Sequence, residues 1–152
     1  MSAKESKSTK GELRATGTSP SGFSTTNVSV HRYLSDKGYA FEGTNAEGER
    51  LHFFVSTLDI KQGQSFAIEQ YGGVGKAAAS YRDSENKIYN GTSGSIRFEI
   101  FDAENEKVEI RTIGLEMSKD SEVKKVEARG SFVGIQEINK RVLDKVGNFN
   151  LK

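Results

Sequence analysis

Apolar and polar residues alternate along most of this chain, and this period of two constrains the fold more than any other feature. In segments 51–55 (LHFFV) and 96–100 (IRFEI) every second residue is a large apolar one. Because successive side chains of a strand point to opposite faces, such segments bury one face and expose the other. The same pattern recurs in about nine short segments, namely 13–15, 28–30, 39–41, 51–55, 66–68, 77–81, 96–100, 108–110 and 126–132.

Turn sequences separate these segments at intervals of about 8 to 12 residues, as at Asp36-Lys37-Gly38. Strands exposed on one face and joined by short turns are typical of antiparallel sheets. The sequence therefore predicts one all-β domain, an antiparallel sandwich or barrel of about eight or nine strands. A parallel sheet would require helical crossovers between strands, and no segment before Phe132 has helical periodicity.

The two ends of the chain differ from this pattern. Residues 1–10 are polar and rich in lysine and serine, which predicts a disordered arm before a β domain over 11–134. In 135–152, the apolar residues Ile135, Ile138, Val142 and Val146 recur at helical spacing, which predicts an amphipathic helix over 136–146. We expect this helix to cover an open edge of the sheet, or alternatively to dock on a partner.

Composition and charge exclude several classes of function. The 22 Lys and Arg residues nearly balance the 21 Asp and Glu residues, whereas a dedicated nucleic-acid binder needs a basic surplus. There is no cysteine, so disulfides, thiolate metal sites and cysteine nucleophiles are absent. The first residues contain no apolar signal segment, and no apolar run reaches the roughly 20 residues of a transmembrane helix. These features predict a cytoplasmic protein, with signal-independent secretion left open.

Gly72-Gly73-Val74-Gly75-Lys76 resembles the glycine-rich loop of deviant Walker-A ATPases over these five residues. Nucleotide binding would also need a Ser or Thr hydroxyl for Mg²⁺ after the lysine, and Ala77 stands there. The βαβ pattern that surrounds such a loop is missing as well. The segment therefore predicts a flexible connection between two strands, and no cofactor is expected.

The two histidines, His31 and His52, lie on the polar faces of their predicted strands. Neither belongs to a pair with metal-ligand spacing, so no metal site is predicted. An enzyme that uses Asp or Glu with one of these histidines would need a cleft that holds the groups together. Because no catalytic motif is present, we expect a protein without enzymatic activity.

The tyrosines are the best candidates for a recognition surface. Tyr71, Tyr81 and Tyr89 lie near Gly72 and Gly73 in the sequence, and tyrosine beside glycine is common in recognition loops. Loops 57–65, 71–76 and 88–95 would form the surface. The leading hypothesis is therefore a non-catalytic binding module for a protein, a glycan or a small apolar ligand.

Phe54 and Phe101 interrupt the alternation of their strands. Each is predicted to face a second apolar layer or a ligand, and both join the recognition candidates. Two further alternatives stay open. One is a carrier whose barrel cavity, lined by phenylalanines, holds an apolar ligand. The other is a toxin-like or particle-associated β protein that oligomerises through an edge strand.

Overall fold

The computed structural model describes residues 8–138, and every regular element in that range is a β-strand. The strands are β1 (Lys10–Thr16), β2 (Phe23–Thr25), β3 (Val28–Tyr33), β4 (Gly38–Thr44), β5 (Arg50–Val55), β6 (Ser65–Ala67), β7 (Ala77–Arg82), β8 (Ile88–Asp102), β9 (Lys107–Lys119), β10 (Glu122–Val133) and β11 (Gln136–Ile138). The predicted all-β class is confirmed.

All eleven strands belong to one sheet, in the order β11-β3-β4-β5-β7-β8-β9-β10-β1-β2, with β6 paired to β8. Every pairing is antiparallel except that of β11 with β3. The sheet is strongly curled, so that β1 packs near β3 and β4, and the result is a half-barrel. A two-sheet sandwich is not seen in the described chain.

A side chain connects the two ends of the curled sheet. The Thr9 hydroxyl, just before β1, accepts a hydrogen bond from the Val30 amide of β3 at 2.9 Å. It also donates to the Gly134 carbonyl, just before β11, at 2.9 Å. Side-chain hydrogen bonds thus hold β1 beside β3, where a closed barrel would have a backbone ladder.

Aromatic rings fill the concave side of the sheet. Phe41, Phe53, Phe98 and Phe132 are fully buried, as their alternation predicts. The Phe41 ring centroid lies 5.5 Å from that of Phe98 and 5.8 Å from that of Phe132. Phe66 of β6 packs edge-on against Phe98 at 5.8 Å, so the short β6 covers part of the same core.

Each of the nine predicted segments contributes to a strand, but β2 and β11 were not predicted. Both have only three residues, which is too short for a period of two to stand out. Both lie at the ends of the strand order. The described strand count is therefore higher than the eight or nine predicted.

The prediction of a helix over 136–146 is wrong for its first three residues. Gln136–Ile138 form β11, which pairs in parallel with His31, Arg32 and Tyr33 of β3. Pairing with β11 satisfies the backbone N–H and C=O groups along the edge of β3, which would otherwise be open. The helical spacing of nearby apolar residues carries no information about such a long-range pairing. The remainder of the predicted helix, 139–146, lies outside the described residues.

The predicted loop over 88–95 is also wrong, because these residues form the first half of the 15-residue strand β8. The glycine and serine residues that suggested a loop instead mark irregular pairing with β9 between Gly91 and Ser95. Bulges of this kind bend a strand without ending it.

At the N-terminus, Lys10 already belongs to β1, so the predicted arm over 1–10 loses its last residue to the sheet. Residues 1–7 lie outside the described range.

Candidate functional site

The connection between β6 and β7 presents the most exposed apolar side chains of the described chain. Tyr71 is 86% exposed and Val74 is 96% exposed. The Tyr71 backbone has a φ of +69°, a left-handed conformation that is costly for a bulky side chain. We refer to residues 69–76 as the Tyr71 loop.

Hydrogen bonds hold the backbone of the Tyr71 loop in one shape. The Gly72 amide donates to the Glu69 carbonyl at 2.9 Å, and the Lys76 amide donates to the Gly73 carbonyl at 2.9 Å. The Gly75 amide also reaches the Ser56 carbonyl, just after β5, at 3.2 Å. The connection predicted as flexible is therefore a hydrogen-bonded double turn. It leads directly into strand β7, so it offers no helix N-terminus for a phosphate.

The other two candidate tyrosines lie in the core. Tyr81 is 0% exposed and Tyr89 is 2% exposed, and their ring centroids are 6.1 Å apart. The Tyr81 hydroxyl donates to the buried Glu49 carboxylate at 2.6 Å. Burial, together with Glu122, raises the pKa of Tyr89 to about 12. Tyr71 therefore lies beside Gly72 and Gly73 in an exposed loop, whereas Tyr81 and Tyr89 are buried and cannot contact a partner.

Phe54 and Phe101 are half-buried and both have partners within the chain. The Phe54 ring lies 6.3 Å from Tyr33 and covers Gly38, where a Cβ would stand only 2.4 Å from the Phe54 Cζ. Phe101 packs edge-on against Tyr39 at 5.4 Å. Their breaks in alternation are thus explained by packing: Phe54 lies over an outer-face glycine, and Phe101 extends the core.

Loop 57–65 uses its apolar residues for the core as well. Ile60 is 7% exposed, and Leu58 packs against the core from a half-buried position. Ser65 already belongs to β6. Of the three predicted recognition loops, only the Tyr71 loop presents large apolar side chains as a connection between strands.

The histidines lie on the outer face of the sheet. His52 is in register with Glu42 on one side and Ser80 on the other. Its Nε2 stands 3.9 Å from the Glu42 Oε1, which is beyond hydrogen-bond distance, and Arg50 holds that carboxylate at 2.6 Å. Burial lowers the pKa of His52, with Glu42 opposing the shift and the charges of Arg50 and His31 adding to it.

His52 and Glu42 lie near each other, but they do not form the hydrogen-bonded chain that activates a nucleophile. Among residues 8–138, no group of three His, Cys, Asp or Glu side chains could hold a metal ion.

Two depressions open on the sheet, with volumes of about 950 and 570 Å³. Both are lined mainly by polar residues, and they share Arg14, Arg111 and Arg129. The larger also collects hydroxyls from the turn between β1 and β2, including Ser19 and Ser21. Neither resembles the phenylalanine-lined interior that a carrier of apolar ligands requires.

The shared arginines belong to a row that crosses four neighbouring strands. Arg14 of β1 is directly opposite Arg129 of β10, Arg129 is opposite Arg111 of β9, and Arg111 is opposite Arg97 of β8. We call these four residues the arginine row. The row was not predicted because its members lie far apart in the chain, and only the strand register brings them together.

Comparisons with other proteins place this chain in no family: no family model, no curated protein and no solved structure matches it. In the part of the chain that the structure describes, no helix is long and apolar enough to cross a membrane. The Tyr71 loop and the arginine row are the two surface features of the described chain whose geometry points to a function.

Proposed function

We propose that this protein is a non-catalytic binding module that presents the Tyr71 loop to a partner protein. The observation that carries the proposal is the exposure of Tyr71 and Val74, at 86% and 96%, on a hydrogen-bonded turn. Tyrosine supplies a large contact area and a polar hydroxyl, and it is enriched among residues that dominate binding energy.

The backbone of the loop supports the same conclusion. A left-handed conformation at a non-glycine residue costs about 1–2 kcal/mol, so the rest of the turn must hold Tyr71 in that position. A loop that is already ordered loses less entropy when a partner binds. The hydrogen-bonded turn thus fixes the backbone position from which the exposed Tyr71 side chain projects.

A partner protein fits this loop better than a small apolar ligand. Small apolar ligands bind in concave pockets that cover most of their surface, and side chains as exposed as Tyr71 and Val74 line no such pocket. The rings on the concave side of the sheet contact one another, which leaves the carrier alternative without support. The spacing of His52 and Glu42 likewise gives the enzyme alternative no support.

Site-specific photo-crosslinking tests this proposal in the cells that produce the protein. A photoreactive phenylalanine analogue replaces Tyr71 in one variant and Val123 in another. Val123 is a matched control because it is also an exposed apolar residue, at 55%, but lies on β10. We expect one defined protein adduct from position 71 and not from position 123. The purified partner should then bind the wild type at least about tenfold more tightly than Tyr71→Ala.

Three results would contradict the proposal. They are equal adducts from both positions, binding of the purified partner that Tyr71→Ala leaves unchanged, and an adduct that contains only a second copy of this chain. The last result would instead support the oligomeric, particle-associated alternative. Urea unfolding of Tyr71→Ala provides the folding control, because an exposed side chain should change stability by only about 0.5 kcal/mol.

A further inference from the structure

The arginine row is an unusual arrangement for the outer face of a sheet. Neighbouring strands lie about 4.8 Å apart, so the row brings four guanidinium groups onto about 14 Å of surface. Like charges directly opposite each other destabilise a sheet. Carboxylates of the same face, or a bound anion, would relieve this repulsion.

Carboxylates neutralise three of the four arginines. Glu99 accepts a hydrogen bond from the Arg111 Nε and lies 3.5 Å from the Arg97 Nε. Glu12 lies 3.4 Å from the Arg14 guanidinium. The hydrogen bond from Arg111 holds the pKa of Glu99 below its ordinary value, with smaller contributions from Arg97 and Arg129.

Arg129 is the exception. Across residues 8–138, no carboxylate oxygen lies within 4 Å of its guanidinium, although Arg14 and Arg111 flank it on the two neighbouring strands. The side chain is exposed, and it forms part of both depressions. The centre of the row is thus an accessible cation between two other cations, with five N–H donors of its own.

The surroundings of Arg129 suit one compact anion. Ser131, two residues further along the same face of β10, adds a hydroxyl to the smaller depression. Three arginines and three glutamates line that depression: Arg14, Arg111, Arg129, Glu12, Glu99 and Glu109. Because this lining is electrically balanced, it has no surplus charge to attract a long polyanion from a distance. Specific binding would have to come from the planar guanidinium forks at short range.

We propose that Arg129, flanked by Arg14 and Arg111, binds one tetrahedral oxoanion, a phosphate or sulfate group, at the junction of the two depressions. Exposed ion pairs contribute only about 0–1 kcal/mol each, so a dianion can compete with Glu99 and Glu12 for the neighbouring guanidinium groups. The anion is either free in solution or an ester on a larger polar molecule. In the second case, the hydroxyl-rich 950 Å³ depression would hold the remainder of that molecule.

NMR titration of the wild-type protein tests the site without any variant. Inorganic phosphate and inorganic sulfate are added separately, with sodium chloride of equal ionic strength as the control. We expect saturable shifts of the Arg14, Arg111 and Arg129 Nε–H signals with phosphate or sulfate, and no comparable shifts with chloride. Shifts that do not saturate, or that chloride reproduces, would overturn the proposal.

Two variants locate the site. Arg129→Gln should weaken phosphate binding by about tenfold or more, whereas Lys125→Gln should leave it within about twofold. Lys125 is a matched control because it is an exposed cation of the same strand that lines neither depression. Equal losses in the two variants would show a non-specific charge effect and would contradict the assignment.

Two further ligands distinguish the source of the anion. Tighter binding of glycerol 3-phosphate than of inorganic phosphate would assign the group to an ester, and equal binding would assign it to the free anion. Either result supports the site if Arg129→Gln weakens binding of the same ligand by about tenfold or more. Binding of a sulfated heparin oligosaccharide that grows with chain length and depends equally on Lys125 would instead show a polyanion surface, and the proposal would be wrong.

Discussion

Gly94 and Gly114 face each other across β8 and β9, and replacing each by alanine should have very different effects. Gly94 has a φ of +107° and Gly114 has a φ of +63°, so both substitutions impose backbone strain. A Cβ on Gly114 would meet no atom within 4 Å. A Cβ on Gly94 would stand 2.6 Å from the Gly114 carbonyl oxygen and 2.7 Å from the Leu115 Cα. Both variants are strained, Gly94→Ala more so because +107° lies outside the left-handed region that L residues can adopt, and only Gly94→Ala adds a collision.

The structure allows the difference to be estimated. The colliding atoms at Gly94 belong to the backbone of β9, so no flexible side chain can move aside. Separating β8 from β9 would also disturb the 2.8 Å hydrogen bond that the Ile68 amide donates to the Gly94 carbonyl. Backbone strain costs about 1–3 kcal/mol and overpacking about another 1–3 kcal/mol. We expect Gly94→Ala to lower the free energy of unfolding by about 2–6 kcal/mol and Gly114→Ala by about 1–3 kcal/mol, the difference being the overpacking.

Urea unfolding measured by circular dichroism checks this prediction. With an m-value of about 2 kcal/mol per molar urea, the two variants should differ in midpoint by about 1 M. The result that would refute the reasoning is a loss in Gly94→Ala no larger than the loss in Gly114→Ala. That outcome would mean that the close approach of β8 to β9 at Gly94 relaxes at no cost.

Two further predictions concern buried polar groups. Tyr81→Phe should lower the free energy of unfolding by about 1.5–3 kcal/mol, because the buried Glu49 carboxylate loses its 2.6 Å donor. Tyr71→Phe is the control with an exposed hydroxyl, and similar effects of both substitutions in urea unfolding would contradict this role. His52 should titrate below its ordinary pKa of 6.5 in an NMR pH series, because burial disfavours its charged form. The unfolded chain then binds the proton more tightly, so the stability that His52 contributes is present above pH 6.5 and is lost as the pH falls from 6.5 through the lower pKa of the folded state. A His52 midpoint at or above 6.5 would show this reasoning to be wrong.

The local pattern of the sequence was enough to predict the strands and most of the core. Phe41, Phe53 and Phe98 each occupy an inward position of an alternating segment, and each is fully buried. This success has a simple cause, because a residue's parity within its own strand decides which face it joins. Parity also places Phe54 correctly on the outer face, over Gly38. It failed at Phe101, because a bulge between Phe98 and Ile100 shifts the register and sets Phe101 opposite the buried Val108.

The candidate site was less predictable. Tyr71, Tyr81 and Tyr89 look alike in the sequence, yet the first is 86% exposed and the other two are buried. Alternation places Tyr81 on the inner face of β7, but the burial of Tyr89 depended on 88–95 being a strand. The glycines and serines of that segment gave the opposite indication, since a bulged strand and a loop have similar compositions.

By itself, the amino-acid sequence determined the all-β class, the positions of nine strands and the aromatic core, because alternation is a property of neighbouring residues. Only the tertiary structure decided the order and register of those strands, the two short strands at the ends of the sheet and the curl into a half-barrel. The arginine row depends entirely on the order and register of the strands. Its members are separated by up to 115 positions in the chain, from Arg14 to Arg129, and stand opposite each other because long-range hydrogen bonding fixed the register.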